Sequence, residues 1–436
     1  MYVTVRGAPA ADQSRERRLE PDLDATGRRG RRRVPGTVLA LGAVSFLTDI
    51  SSESVVAILP LYITAVLGMS PLAYGFIDGI YQGISAAVRI LGGHWADSTG
   101  RPKWVAFAGY GVSAISRVAM LPATGFAAIT GVVALDRLGK GLRTGPRDAL
   151  IADASEPTEL GRNFGVHRAM DTAGALIGPL IAFAILAAIP LGLGGYRSVF
   201  VFSAAVAVVG LAVLVVAVPG RPRAAAAEPR LRRAKTPRTR VRWAELNNPR
   251  LRRLLIGAGL LGLLTIGDGF IYLVLAGSGT FGASYFPLLL VGTNAVYLLL
   301  AIPLGRLADR IGRTRVFVAG YAVLAAAYVL TAAQLGGPIW VLSVLALLGV
   351  FYAATDGILA AMASRCVPET SRASGIAAAQ TVVALTRFGA SVGFGLMWQL
   401  SGRPVAMGAM AIALVAVLPV AAWLLRSNNQ LSRAAQ

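Results

Sequence analysis

Apolar residues along this chain gather in long runs broken by short Gly/Pro-rich or charged turns, rather than at the 3.6-residue period of a soluble amphipathic helix. Twelve runs approach or exceed the ~20 residues a helix needs to cross a bilayer. They lie at about 36–67, 71–96, 104–121, 126–152, a fifth after the polar turn 155–162, then 196–218, 254–276, 285–304, 316–334, 339–362, 373–400 and 405–425. An all-α integral membrane protein is therefore predicted. The runs fall into two sets of six, separated by a stretch rich in Pro, Ala and Arg. The expected organisation is a basic tail 1–35, a six-helix bundle 36–219, a basic linker 220–253, a second bundle 254–426 and a tail 427–436.

Composition sharpens this. Of 436 residues, 55% are hydrophobic and 14% charged, too apolar for a soluble chain of ordinary make-up. The net charge of +21 is concentrated: residues 220–253 carry 12 Lys/Arg against 2 acids, and residues 1–35 carry 9 Arg against 5 acids. Basic segments beside apolar spans fit the positive-inside rule and anionic lipid headgroups rather than nucleic acid. Both termini are expected in the cytoplasm of a plasma or inner membrane, with the first span itself serving for insertion. Cys366 is the sole cysteine, which excludes an internal disulfide and leaves no thiolate cluster for a metal. No nucleophile with a base and no phosphate loop is present, so an enzyme is not expected; His94 and His167 read as structural.

Charges inside apolar spans are costly and mark function. Asp49 and Glu53, four residues apart on the first span, share one face. No Lys or Arg lies near them on their own helix, which makes them candidates to take up and release a proton. In the fourth span, Asp136, Lys140, Arg143 and Arg147 follow spacings of 4, 3 and 4 and stack on one face, with Arg137 and Asp148 beside them. The fifth span returns antiparallel, placing Asp171 level with Arg143, and Arg168 level with Arg147 and Asp148. Asp78 and Arg117 are read as lying towards span ends, the latter snorkelling. The second half keeps Asp268, Asp356 and Arg387 inside its spans. Its aromatic and polar residues Phe270, Tyr272, Asn294, Tyr297, Tyr352 and Trp398 are candidates to line a substrate path.

Two segments 212 residues apart, 93–103 and 305–315, both read G-x-x-A-D-x-x-G-R. With 157–165 echoed by 368–375, they indicate duplicated halves. This pattern resembles the major facilitator superfamily, whose loop signature G-x-x-x-D-x-x-G-R is matched by Gly93, Asp97, Gly100 and Arg101, and by Gly305, Asp309, Gly312 and Arg313. The resemblance implies twelve transmembrane helices in two pseudo-symmetric six-helix bundles, and a conformational latch at these loops, with Asp97 near residues 371–374 and Arg101 near Asp148 or Asp153. Arg137 to Gly141 resembles the R-x-x-x-G motif of drug:proton antiporters, which links Arg137 to proton transfer. Gly174, Gly178 and Pro179 resemble the G-x-x-x-G-P core of the antiporter motif, without the glycine pair that usually follows. Ala57 to Pro60 fits the A-x-x-P of antiporter first helices, though Asp49 stands two residues too far ahead of it.

The resulting expectation is export of a small amphipathic compound, such as a phenicol or other antibiotic, in exchange for protons. Glu53, with Asp49, Arg137 and Asp171, is expected to carry the coupling. The proton gradient would replace any cofactor, the partners would be substrate, protons and anionic lipid, and the chain would act as a monomer. Two alternatives stay open: import of a small organic anion drawn by Arg137, Lys140 and Arg143, and a non-transporting receptor or scaffold.

Overall fold

The computed structural model describes residues 33–99, 101–156, 158–189, 192–219, 248–368 and 371–433, with side chains except at 85–87, 89–99, 372–373 and 426–433. The described residues form helices and no strand. In the first half these are α1 (Gly36–Val56), α2 (Pro71–Thr99), α3 (Pro102–Ala119), α4 (Phe126–Asp153), α5 (Leu160–Ala188) and α6 (Leu193–Ala217). The second half holds α7 (Pro249–Leu263), α8 (Asp268–Ala276), α9 (Phe286–Ile311), α10 (Arg313–Ala332), α11 (Gly337–Thr355), α12 (Ile358–Arg365), α13 (Arg372–Ser401) and α14 (Arg403–Arg433). Nine helices among the described residues, some joined from two pieces, are long and apolar enough to cross a membrane. The charged α4 is not one of them.

Packing repeats between the halves. α1 packs on α5 and α6, α2 on α4, and α3 on α4 and α6; correspondingly α7 packs on α13 and α14, α9 on α11, and α10 on α11 and α14. The halves meet through α2 against α13 and α5 against α9, which are themselves equivalent under the same exchange. Outward-facing side chains are apolar: Val216 is 86% exposed, Ile339 82% and Trp423 69%. A surface of that kind is solvated by lipid rather than water.

Three breaks interrupt the helices, each with a local cause. α1 ends at Val56, and Pro60, which has no N–H to donate, opens a short turn that continues as a π-helix over Tyr62–Val66. Between α7 and α8 the backbone unwinds, and Tyr328 repairs the loss by accepting from the Ile266 N–H and donating to the Leu264 carbonyl, both at 3.1 Å. α11 and α12 are separated by Asp356 and by Gly357, whose φ of +76° suits glycine alone. Each break adjoins an acid: Glu53 precedes the first by one turn, Asp268 opens α8, and Asp356 lies at the third. Irregular backbone at such depth is tolerated where it is enclosed by protein or lines a cavity.

Candidate functional site

Two of the cavities between the halves gather charges that lie inside spans. The first, about 290 Å³, is enclosed by α1, α4, α5 and α9, and its wall carries Asp49, Glu53, Lys140, Arg143, Arg147, Arg168, Asp171, Asn294 and Tyr297. The second, about 220 Å³, is bounded by α1, α2, α8 and α9, with Glu53, Tyr74, Asp78, Tyr81, Asp268, Tyr272 and Asn294. Glu53 and Asn294 border both. The first wall holds four cations against three acids. The second holds three acids and no Lys or Arg.

Glycines set the position of the acid-bearing segment of α1. A Cβ on Gly178 of α5 would lie 2.8 Å from the Ile50 carbonyl oxygen and 2.9 Å from the Ser54 nitrogen, and one on Gly174 would overlap the Phe46 carbonyl. The two helices therefore touch backbone to backbone over the stretch that holds Asp49 and Glu53. On the opposite side, Ser51 donates to the Ser203 carbonyl at 2.8 Å and Ser203 to the Ser51 carbonyl at 2.7 Å, tying α1 to α6. α5 runs unbroken through Pro179.

Cations from α4 face these acids. Lys140 Nζ is 3.8 Å from Glu53 Oε1, and Arg143 Nη2 is 3.8 Å from Asp49 Oδ1. The acids have no basic neighbour on their own helix, but the neighbouring helix supplies one to each. Arg143 also lies over the Tyr110 ring and donates to Ser113 at 3.3 Å. The pairing of Asp171 differs from its helical level: its partners are Arg147 and Arg168, each at 3.7 Å, while Arg143 is turned to Asp49. Arg147 further holds Asp148 at 2.9 Å and reaches Ser45, which meets His167 at 3.0 Å.

Asp136 departs from the rest of the stripe. Its carboxylate receives Arg117 of α3 at 2.5 Å and its neighbour Arg137, and all three are buried. Arg117 does not snorkel; it turns inward to this acid. Arg137 also lies 4.0 Å from the centroid of Tyr81. Asp136 and Arg137 line neither cavity, so this cluster packs α2, α3 and α4 together behind the first wall.

The second-half candidates divide. Asp268, Tyr272 and Asn294 line the second cavity, with Tyr352 donating to Asp268 at 2.7 Å and Tyr272 to Thr293 at 2.9 Å. Tyr297 lines the first cavity and reaches Asp356 at 3.4 Å. Asp356 and Arg387 line a separate space of about 190 Å³. Phe270 and Trp398 pack on each other, with Phe270 also against Tyr74, at a fourth opening of about 420 Å³. Asp78, read from sequence as an end-of-span residue, instead borders the second cavity and accepts from Ser391 at 2.6 Å. Nothing in its local sequence distinguishes it; it became visible only through α13.

Of the duplicated loops, Gly100, the surroundings of Gly93 and the side chain of Asp97 lie outside the described residues, and Arg101 is exposed at the start of α3. In the second copy Arg313 binds Asp309 at 2.8 Å, and Gly312 closes α9 with φ +104°. Gly305 has open space around it.

Comparison with known proteins agrees with this architecture. The profile of the Major Facilitator Superfamily matches residues 41–293 and 278–435. An uncharacterized MFS-type transporter of Methanocaldococcus jannaschii is 38% identical over 151 residues, 35% of this chain and 37% of that one. An uncharacterized protein of Mycobacterium tuberculosis (strain H37Rv) is 33% identical over 155 residues, 34% and 36% of the two chains. The similarity thus spans little more than a third of either relative. Among solved structures, the nucleoside transporter NupG superposes with a TM-score of 0.71 at 16% identity, covering 90% of this chain and 98% of that one. A bacterial homolog of the human lysosomal transporter Spinster, inward-facing and occupied, gives 0.67 at 16% identity, covering 90% and 96%. At those identities the likeness is one of fold. With a family match that runs across both halves, a repeated helix packing and an apolar outer surface, the chain belongs to the major facilitator superfamily of membrane transporters.

Proposed function

We propose that this transporter exports small amphipathic compounds, antibiotics among them, in exchange for protons. It works by alternating access across twelve spans, with both termini in the cytoplasm of the cell membrane. The observation that carries the reading is the place of Glu53, at the junction of the two cavities and one turn before the break in α1. A proton taken by Glu53 leaves Lys140 without its anion, so the first wall must rearrange when the proton arrives or departs. In the second cavity, protons and the polar head of a guest draw on the same carboxylates, Glu53 and Asp268. Competition of that kind is what exchange requires, since the two ligands then bind in turn. The basic segments 1–35 and 220–253 would rest on anionic lipid, and the monomer would need no cofactor beyond the proton gradient.

A second reading has its own support. Lys140, Arg143, Arg147 and Arg168 on the first wall suit a small organic anion, whose import would follow protonation of the opposing acids. A growth-inhibition panel across antibiotic classes in an efflux-deficient host, with and without this gene, separates the two. Export lowers cellular accumulation of a compound and raises tolerance to it; import raises uptake of labelled anion and leaves tolerance unchanged.

A further inference from the structure

The face of the bundle opposite the chain termini carries the turn 67–70 before α2 and the end of α13. Near that face glycines let the two halves approach closely. A Cβ on Gly79 would fall 2.8 Å from the Phe388 ring, and one on Gly395 would fall 3.1 Å from the Leu72 Cα. One polar bond crosses this glycine seam among the described residues nearest it: Ser391 of α13 donates to the carboxylate of Asp78 of α2. Asp78 is also wedged against the unwound backbone before α8, where a Cβ on Gly267 would overlap its carboxyl group.

We infer that Asp78 is a clamp between the halves, and that its charge holds the far-face seam shut until a proton reaches it through the second cavity. The groups around it fix the sense of the switch. Ser391 donates to the carboxylate, a bond that the charge strengthens, and Arg387 stands one turn earlier on the same helix. Asp268 of α8 and Glu53 of α1 border the same cavity. Arg137 of α4 lies over Tyr81, which borders the same cavity, and Tyr74 stands one turn away on α2 itself. The ionised form therefore ties first half to second through a charge-assisted hydrogen bond from Ser391. Protonation removes the charge that this bond depends on. The residue acts by positioning the halves, whichever substrate is carried, and its role is separate from the proton proposed for Glu53.

The test is a distance across the seam. Spin labels at Ser70→Cys and Ser401→Cys, both exposed at the far face, are placed in a Cys366→Ser background and read by pulsed electron resonance in lipid nanodiscs. Going from about pH 8 to about pH 5, across the range where a buried carboxyl titrates, the separated population should grow. Asp78→Asn should raise the open-to-closed ratio at high pH by about tenfold, the scale of one charge-assisted hydrogen bond, and abolish the pH response. Ser391→Ala should give a smaller shift in the same direction. Glu53→Gln should keep the response, which separates this clamp from the transport reading. Asp78→Glu, retaining the charge, serves as the folded control and should restore part of the response. Distances and pH response in Asp78→Asn that match the parent would overturn the clamp, as would loss of the response in Glu53→Gln alone.

Discussion

Lys140 Nζ lies 3.8 Å from Glu53 Oε1, with the lysine about one-third exposed to the cavity both residues line. The pair opens onto that cavity instead of packing in the core, and its value to folding is expected to be small, nearer the ~0–1 kcal/mol of exposed pairs than that of a fully buried one. Lys140→Met should leave thermal stability within that range while reducing transport. A large drop in melting temperature, measured by fluorescence-detected size exclusion, would contradict a working rather than structural pair.

The opposite is expected behind the wall. Asp136 is buried between Arg117 and Arg137, and Asp136→Asn leaves two cations without their anion. Breaking a buried pair costs about 3–5 kcal/mol. The variant should unfold at markedly lower temperature, and adding Arg117→Gln should recover part of the loss. An Asp136→Asn protein as stable as the parent would remove this cluster from the account of folding.

Asp171 provides a test of partner choice. Its neighbours are Arg147 and Arg168, so any loss of transport in Asp171→Asn should be eased by Arg147→Gln and not by Arg143→Gln. Recovery by the Arg143 change instead would mean that α4 and α5 sit in a different register.

Gly178 holds α5 against the segment carrying the two acids. A methyl group there meets the Ile50 carbonyl and the Ser54 nitrogen, both backbone atoms that cannot swing away. Gly178→Ala should cost about 1–3 kcal/mol, as overpacking does, and lower transport more than the same change at Gly161, where the space is open. Equal effects at the two sites would contradict the packing argument.

Much of this was legible in the sequence because lipid enforces simple rules. Long apolar runs and the duplicated motif predicted two related halves, and the repeated helix packing follows that division. Charges inside spans pointed to α1, α4 and α5, and Asp49, Glu53, Lys140, Arg143, Arg147, Arg168 and Asp171 do gather on one cavity wall. Partner choice was not legible. Helical spacing gives the level of a residue along the bundle but not the rotation of one helix about another. Arg143 thus turns to α1 rather than α5, and Asp136 turns away from the cavity to Arg117. Asp78 was missed for a related reason: its depth depends on the tilt of α2 and on α13, more than 300 residues away in the chain.

The central claim is that Glu53 couples proton movement to transport. The most direct measurement uses purified protein in liposomes, with the compound to which expression confers tolerance and an imposed pH difference. Parent protein should move the compound against its gradient, with proton movement in the opposite direction recorded by an internal pH dye. Glu53→Gln should still bind the compound and equilibrate it, yet fail to concentrate it. Undiminished uphill transport by Glu53→Gln would contradict the assignment.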